Sequence, residues 1–221
     1  MGQPVLLAAF DVDGTLTAVK DSWRYYHEAL GTWGQASLNA QRFFNREISY
    51  EEWAELDVAL WRGLPLERLA ELARGIPWRG GAHRVAELKR RGYSLYALTT
   101  GLSLLARRAV EELGFDGYLA NEVEVEGGAL TGGVVVRVAY GGKGEALRRL
   151  REELGAEAVV AVGDGRSDLE MFAEADVAIA VEPDAEAAYA ADLVAGSLED
   201  AVDFLLALPS CLRLTSGRRR S

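Results

Sequence analysis

Asp11-Val12-Asp13-Gly14-Thr15-Leu16-Thr17 puts two carboxylates at i and i+2, directly after a short apolar run, Val5 to Phe10. On a loop rather than a strand, both can face one site. Such a pair suits an oxygen-seeking divalent cation. One carboxylate can attack phosphorus while the second serves as general acid and then general base. Gly14 lets the chain turn sharply behind the pair. The stretch does not scan as an EF-hand loop, whose twelfth position is Glu; here it is Ser22.

Three further clusters carry related chemistry. Thr99-Thr100-Gly101 closes a second apolar run, Tyr93 to Leu98, and a hydroxyl with following N–H groups can hold phosphate oxygens. Gly141-Gly142-Lys143-Gly144 opens a helical pattern, where a Lys can neutralise a phosphate. It is not a P-loop, since Gly144 occupies the position of the hydroxyl residue. Gly163-Asp164-Gly165-Arg166-Ser167-Asp168 follows a third run, Ala158 to Val162, and its carboxylates at i and i+4 can share one cation, directly or through water. Taken singly, each has a plainer reading: an acidic turn, a Thr cap, a surface Lys, an acid-decorated helix start.

The elements around these clusters are short buried runs alternating with helical patterns, Val85 to Arg91, Leu104 to Leu113, Gly144 to Leu154 and Leu169 to Ala175, with a last run at Val177 to Val181. That alternation predicts a parallel sheet with helices on both faces, and ligands in such sheets sit beyond the carboxyl ends of the strands. Two segments break it. Asp21 to Gly75 holds no convincing strand and reads as several aromatic-rich helices, with Trp23, Tyr26, Trp33, Trp53 and Trp61, placed to close over the crevice. Asn121 to Val138, with Gly127-Gly128 and Gly132-Gly133, reads as a β-hairpin. The expected organisation is a core of residues 1–18 and 77–210, a helical cap of residues 19–76, and a basic, solvated tail of residues 211–221.

Composition narrows the partners. The 221 residues are 49 % hydrophobic, enough for a sizeable core, and 34 acidic against 24 basic residues give a net charge of −10. An acidic surface has no general attraction for nucleic acid or anionic membrane, so an anionic substrate must meet positive charge built locally. The lone Cys211 forms no internal disulfide, and two histidines make no zinc pattern. Pro4 to Phe10 is too short for a signal-peptide core, and a cytoplasmic monomer or homodimer acting on a small phosphorylated metabolite is the expectation.

In their order, D-x-D-G-T, T-G, K and G-D-G-x-S-D, with buried strands before the first, second and fourth, the motifs resemble the haloacid dehalogenase superfamily of phosphohydrolases. Leu98 to Gly101, Glu111-Glu112-Leu113-Gly114, Asn121 to Glu124 and Leu130-Thr131-Gly132 are similar to its phosphoserine-phosphatase-like branch. The resemblance implies an α/β, Rossmann-like core, a cap inserted after the first strand, and Mg²⁺. It makes Asp11 the nucleophile and a metal ligand, and Asp13 the general acid/base with its carbonyl on the metal. Thr100 with the Gly101 N–H holds the phosphoryl group, assisted by Ser167, and Lys143 balances charge. Asp164 binds the metal and Asp168 orients its waters.

Departures fall in the cap. Serine-specific relatives carry a Glu shortly after the first motif and an Arg on a cap helix; the matching positions, counted without gaps, are Lys20 and Glu55. With Trp23 these are the expected specificity residues, and the reversed charges point away from phosphoserine toward an ester with an anionic group near Lys20. Phosphotransfer or phosphomutase chemistry on the same core, and a non-catalytic metal-binding module, are the competing readings.

Overall fold

The structure is a computed structural model that describes residues 5–208; the basic tail and Cys211 lie outside the described residues. The first strand, β1 (Leu6–Phe10), forms because five consecutive apolar side chains can be buried on both faces of a sheet. Leu7 and Ala9 point to one side and Ala8 and Phe10 to the other, all with no exposure. A single wide turn, Val12–Leu16, follows, and then four helices: α1 (Ser22–Ala29), α2 (Trp33–Phe44), α3 (Tyr50–Ala59) and α4 (Leu66–Gly75). The starts of α1 and α3 are fixed locally. Asp21 accepts from Arg24 N, and Ser49 and Glu52 form a reciprocal capping box.

A tight 3₁₀ helix, Ala82–Arg91, leads to β2 (Tyr93–Leu102) and α5 (Ser103–Leu113). The hairpin β3 (Gly117–Glu126) and β4 (Ala129–Val135) turns at Gly127-Gly128, as the sequence predicts. Then come α6 (Lys143–Leu154), β5 (Ala158–Gly163), α7 (Leu169–Glu174), β6 (Val177–Val181), α8 (Ala185–Ala190), β7 (Leu193–Ala195) and α9 (Leu198–Ala207). The sheet order is β4-β3-β2-β1-β5-β6-β7, parallel except for the β3–β4 pair.

Two features differ from the sequence reading. β2 does not stop at Leu98; it continues to Leu102, with a register shift against β3 between Leu98 and Leu102 that bulges the Thr99-Thr100-Gly101 segment. The short strand β7 and helix α9 extend the sheet and cover its far side.

Register decides where chemistry can occur. Phe10 lies beside both Ala97 and Val162, so the loops after β1 and β5 leave the sheet at one level, next to the bulged end of β2. Asp11 N still donates to Val162 O, which anchors the first acid to the neighbouring strand. The two chain crossings into the helical insert are also paired: Thr17 bridges Trp78, and Arg79 N donates to Leu16 O. Among the described residues, no helix is long and apolar enough to cross a membrane.

Candidate active site

Lys143, the first residue of α6, is 1 % exposed and directs its ammonium into the acids beyond the strand ends. Its Nζ lies 2.5 Å from Asp11 Oδ1 and 2.7 Å from Asp168 Oδ1. The other Asp168 oxygen accepts the backbone N–H groups of Asp164 and Gly165. Asp164 in turn faces Thr15 Oγ1 at 3.4 Å and Lys20 Nζ at 3.3 Å. This packing explains the glycines of the motifs. A Cβ on Gly14, whose φ is +80°, would fall 2.4 Å from the Asp164 carboxylate, and one on Gly163 would fall 2.5 Å from that of Asp168. A Cβ at Gly144 would meet Glu170 O at 2.8 Å, so the close approach of α6 to α7 bars a side chain there.

Asp11, Asp164 and Asp168 each offer one carboxylate oxygen, and these oxygens lie within 4.8 Å of one another. Burial pushes the Asp11 carboxyl well above its ordinary range, and the Asp168 charge adds to it; Lys143 only partly offsets both. Asp164 is raised for the same two reasons, burial and Asp168. Burial works against the Lys143 charge, yet Asp11 and Asp168 outweigh it and keep the ammonium protonated. Three carboxylates against one buried ammonium leave the pocket short of positive charge, and hard oxygen donors suit Mg²⁺. The residues therefore fit that ion. Asp11 has its second oxygen to give and Asp164 is held only by contacts of 3.3 and 3.4 Å, whereas both Asp168 oxygens are engaged at 2.7–3.1 Å, which matches a role through water.

Asp13 has a separate environment. Its Oδ2 accepts from Ser22 N at 2.9 Å and Ser22 Oγ at 2.7 Å, while its buried Oδ1 has no partner among the described residues. Burial raises its carboxyl to about 6, against the lowering effect of both Ser22 bonds. Two neighbouring carboxyls thus differ in surroundings, one clamped by Lys143 and the other poised near neutrality, as nucleophile and proton carrier require. Ser22 was not singled out by the sequence; its place as the first residue of α1, nine residues on from Asp13 yet in contact with it, is visible only in the folded chain.

The bulge after Leu98 shapes the third corner. Thr100 O accepts three hydrogen bonds: from Tyr50 OH (2.7 Å), Asn121 Nδ2 (2.8 Å) and Trp23 Nε1 (3.2 Å). These donors come from α3, β3 and α1, so two inserted helices and the sheet fix one peptide. Asn121 is fully buried, and its Oδ1 also takes the Arg137 and Val138 N–H groups. The Thr100 side chain makes no hydrogen bond among the described residues. Gly101 differs from expectation: its N–H donates to the buried Thr99 Oγ1 at 2.9 Å, so in this arrangement it is not free for a phosphoryl oxygen.

The remaining expected residues are spread out. Ser167 is half-buried beside Asp168, and its hydroxyl makes no hydrogen bond among the described residues. Trp23 holds Thr100 and stacks on Trp61. Lys20 sits at the acids, not apart from them. Glu55 is exposed on α3; the buried residues of that helix are Tyr50, Ala54, Asp57 and Val58, so Asp57 is the carboxylate on its inner face. An open cleft of about 640 Å³ runs between the α2–α3 connection and the loops carrying Lys143 and Asp164, walled by Phe43, Phe44, Tyr140 and Arg166.

The model of the haloacid dehalogenase-like hydrolases matches residues 8–173. A phosphoserine phosphatase of Archaeoglobus fulgidus is 35 % identical over 79 % of the chain, which spans 52 % of that protein. One from Methanocaldococcus jannaschii is 32 % identical over 79 % of the chain and 84 % of its own length. A solved structure described as a phospho-aspartyl intermediate analogue of phosphoserine phosphatase superposes with a TM-score of 0.75, at 26 % identity, covering 92 % of the chain and 99 % of its own.

The triply bonded carbonyl makes Tyr50 a test of how firmly the phosphate corner is held. Tyr50→Phe removes one of three donors without changing the ring, and is expected to cost about 1 kcal/mol, roughly fivefold in kcat. Steady-state kinetics on any turned-over ester checks this; an unchanged kcat would mean that the Thr100 peptide is fixed without the inserted helices.

Proposed function

The chain belongs to the haloacid dehalogenase-like hydrolase family as a phosphoserine-phosphatase-like phosphomonoester hydrolase, and we propose that it works by covalent catalysis on Asp11 with one Mg²⁺, on a small ester other than phosphoserine. The observation that carries this reading is the Asp11 carboxylate, buried and held through one oxygen by Lys143, with its second oxygen left to attack. The core of residues 1–18 and 77–210 would supply the chemistry, and the cap of residues 19–76 the recognition.

Asp11 attacks phosphorus in line with the leaving alkoxide. Asp13, protonated, gives its proton to that oxygen and then, as carboxylate, takes one from the water that hydrolyses the aspartyl-phosphate. Lys143 stays charged throughout and meets the negative charge spread over the transferring phosphoryl oxygens. Thr100 and Ser167, whose hydroxyls are unengaged, would bind those oxygens. The metal, held by Asp11, Asp164 and the Asp13 carbonyl with Asp168 behind them, would supply further charge neutralisation on the phosphoryl group. Two features support a substrate other than phosphoserine. Lys20 stands where serine-specific relatives carry a Glu, and no cationic side chain is among the inner-face residues of α3.

Phosphate release from a panel of esters, p-nitrophenyl phosphate and phosphoserine included, is expected to depend on Mg²⁺, to stop with EDTA and to vanish in Asp11→Asn. A dominant preference for phosphoserine would overturn the substrate part alone. Transfer to an added alcohol exceeding transfer to water would favour a phosphotransferase instead.

The proton role of Asp13 gives a pH prediction. The first half-reaction needs the protonated carboxyl, so its rate falls as pH rises through the Asp13 pKa. The Ser22 hydroxyl stabilises the carboxylate and lowers that pKa. Ser22→Ala is therefore expected to move the alkaline limb of kcat/KM to higher pH, measured with an ester of a poor leaving group. A limb that stays put or moves to lower pH would contradict the assignment.

A further inference from the structure

Asp57 is a carboxylate 2 % exposed inside the inserted helices, and the proposed mechanism does not use it. Its Oδ1 accepts from Asn39 Nδ2 at 2.8 Å, and its Oδ2 lies 3.3 Å from His27 Nε2, out of line for a good hydrogen bond. Among the described residues, no Lys or Arg is within ion-pair distance of it.

Trp61 Nε1 can only donate, and it donates to Thr32 Oγ1 at 3.3 Å. Thr32 Oγ1 also lies 2.7 Å from His27 Nδ1 and 3.5 Å from the His27 carbonyl oxygen. Asp57 Oδ2 thus meets only the poorly aligned His27 Nε2 and has capacity for a further donor.

Beside Asp57 lies a small cavity, about 10 Å³, lined by Trp23, Tyr50, Trp53 and Ala54, with room for one water-sized group. Two of its walls are the residues whose polar ends hold Thr100 O, so the cavity adjoins the phosphate corner. Aromatic faces around a carboxylate favour a cation. A hydroxyl group would answer Asp57 and the unpartnered Trp53 indole N–H together, whereas an ammonium would give the Asp57 carboxylate a charge-assisted hydrogen bond.

We propose that this cavity is the specificity subsite of the hydrolase and takes a primary ammonium on the leaving group, so that the substrates are phosphate esters of small amino alcohols. The inference rests on the phosphomonoesterase reading, and water plus the ester gives the free amino alcohol and inorganic phosphate. The space of one water-sized group admits a primary ammonium and is too small for a trimethylammonium.

The test compares kcat/KM for 2-aminoethyl phosphate with that for its neutral isostere, 2-hydroxyethyl phosphate, in the wild type and in Asp57→Asn. The wild type is expected to prefer the amine by about tenfold or more, the size of one charged hydrogen bond, and Asp57→Asn to lose that ratio. The ratio is internal to each protein, so a general loss of activity does not mimic it. Equal treatment of the two esters by the wild type overturns the proposal with no variant needed, and a preference for the hydroxyl ester would assign the cavity to polyols. Better turnover of choline phosphate than of 2-aminoethyl phosphate would overturn the primary-ammonium assignment. No turnover of any ester, p-nitrophenyl phosphate included, would instead defeat the hydrolase reading. Calorimetric binding of the two esters would then decide the subsite, equal affinities overturning it.

Discussion

One buried ammonium organises the catalytic end of this molecule. Lys143 is enclosed with carboxylates of which it contacts two, Asp11 and Asp168, at 2.5 and 2.7 Å. Burying such charges costs several kcal/mol per ion, and removing one partner from a buried pair typically costs about 3–5 kcal/mol. The surrounding architecture meets that demand. Parallel register sets the ends of β1 and β5 level, and α6 starts where its first side chain can reach both acidic loops. Gly14, Gly163 and Gly144 remove the three Cβ atoms that would separate carboxylate from backbone or helix from helix. The shortage of positive charge that remains makes a place for a divalent cation.

The inserted helices reach the same centre through hydrogen bonds, not through a broad apolar seam alone. Ser22 of α1 binds Asp13, the proposed proton carrier, and Trp23 and Tyr50 bind the carbonyl of Thr100. The helices therefore bear on Asp13 and on the Thr100 peptide separately. The crossings into the insert are tied at Thr17 and Trp78, next to the nucleophile turn, so any rearrangement of the helices begins beside Asp11. Arg79, just after the second crossing, adds a bond from its guanidinium to Gly14 O and an ion pair with Glu182.

The catalytic loops were legible because their signals are local. An apolar run ending in acids reads as a buried strand that opens onto a site, and the four motifs, three of them after such strands, stand in the motif order of the family. The helical insert and the hairpin were legible from helical periodicity and the Gly127-Gly128 turn, whereas Gly132-Gly133, also read as a turn, lies within β4. What escaped depends on side chains meeting across the fold. Counting without gaps selected Glu55, yet helical phase places Asp57 with Tyr50, Ala54 and Val58 on the inner face of α3; that spacing was present in the sequence and could have identified it. The Gly101 N–H could not be assigned from sequence because the competing acceptor, Thr99 Oγ1, is brought to it by a bulge in β2. Ser22, Asn121 and Tyr50 are ordinary residues by type, and only their convergence on Asp13 and Thr100 gives them a role.

The account stands on Asp11 forming a covalent bond to phosphorus, and that bond can be trapped. The enzyme is quenched in acid during turnover with Mg²⁺, reduced with borohydride and digested, and the peptide containing residue 11 is read by mass spectrometry. An aspartyl-phosphate at Asp11 is reduced to homoserine, and that conversion, absent without substrate, is the predicted result. Vigorous phosphate release with residue 11 still aspartate, or reduction at another carboxylate, would contradict it.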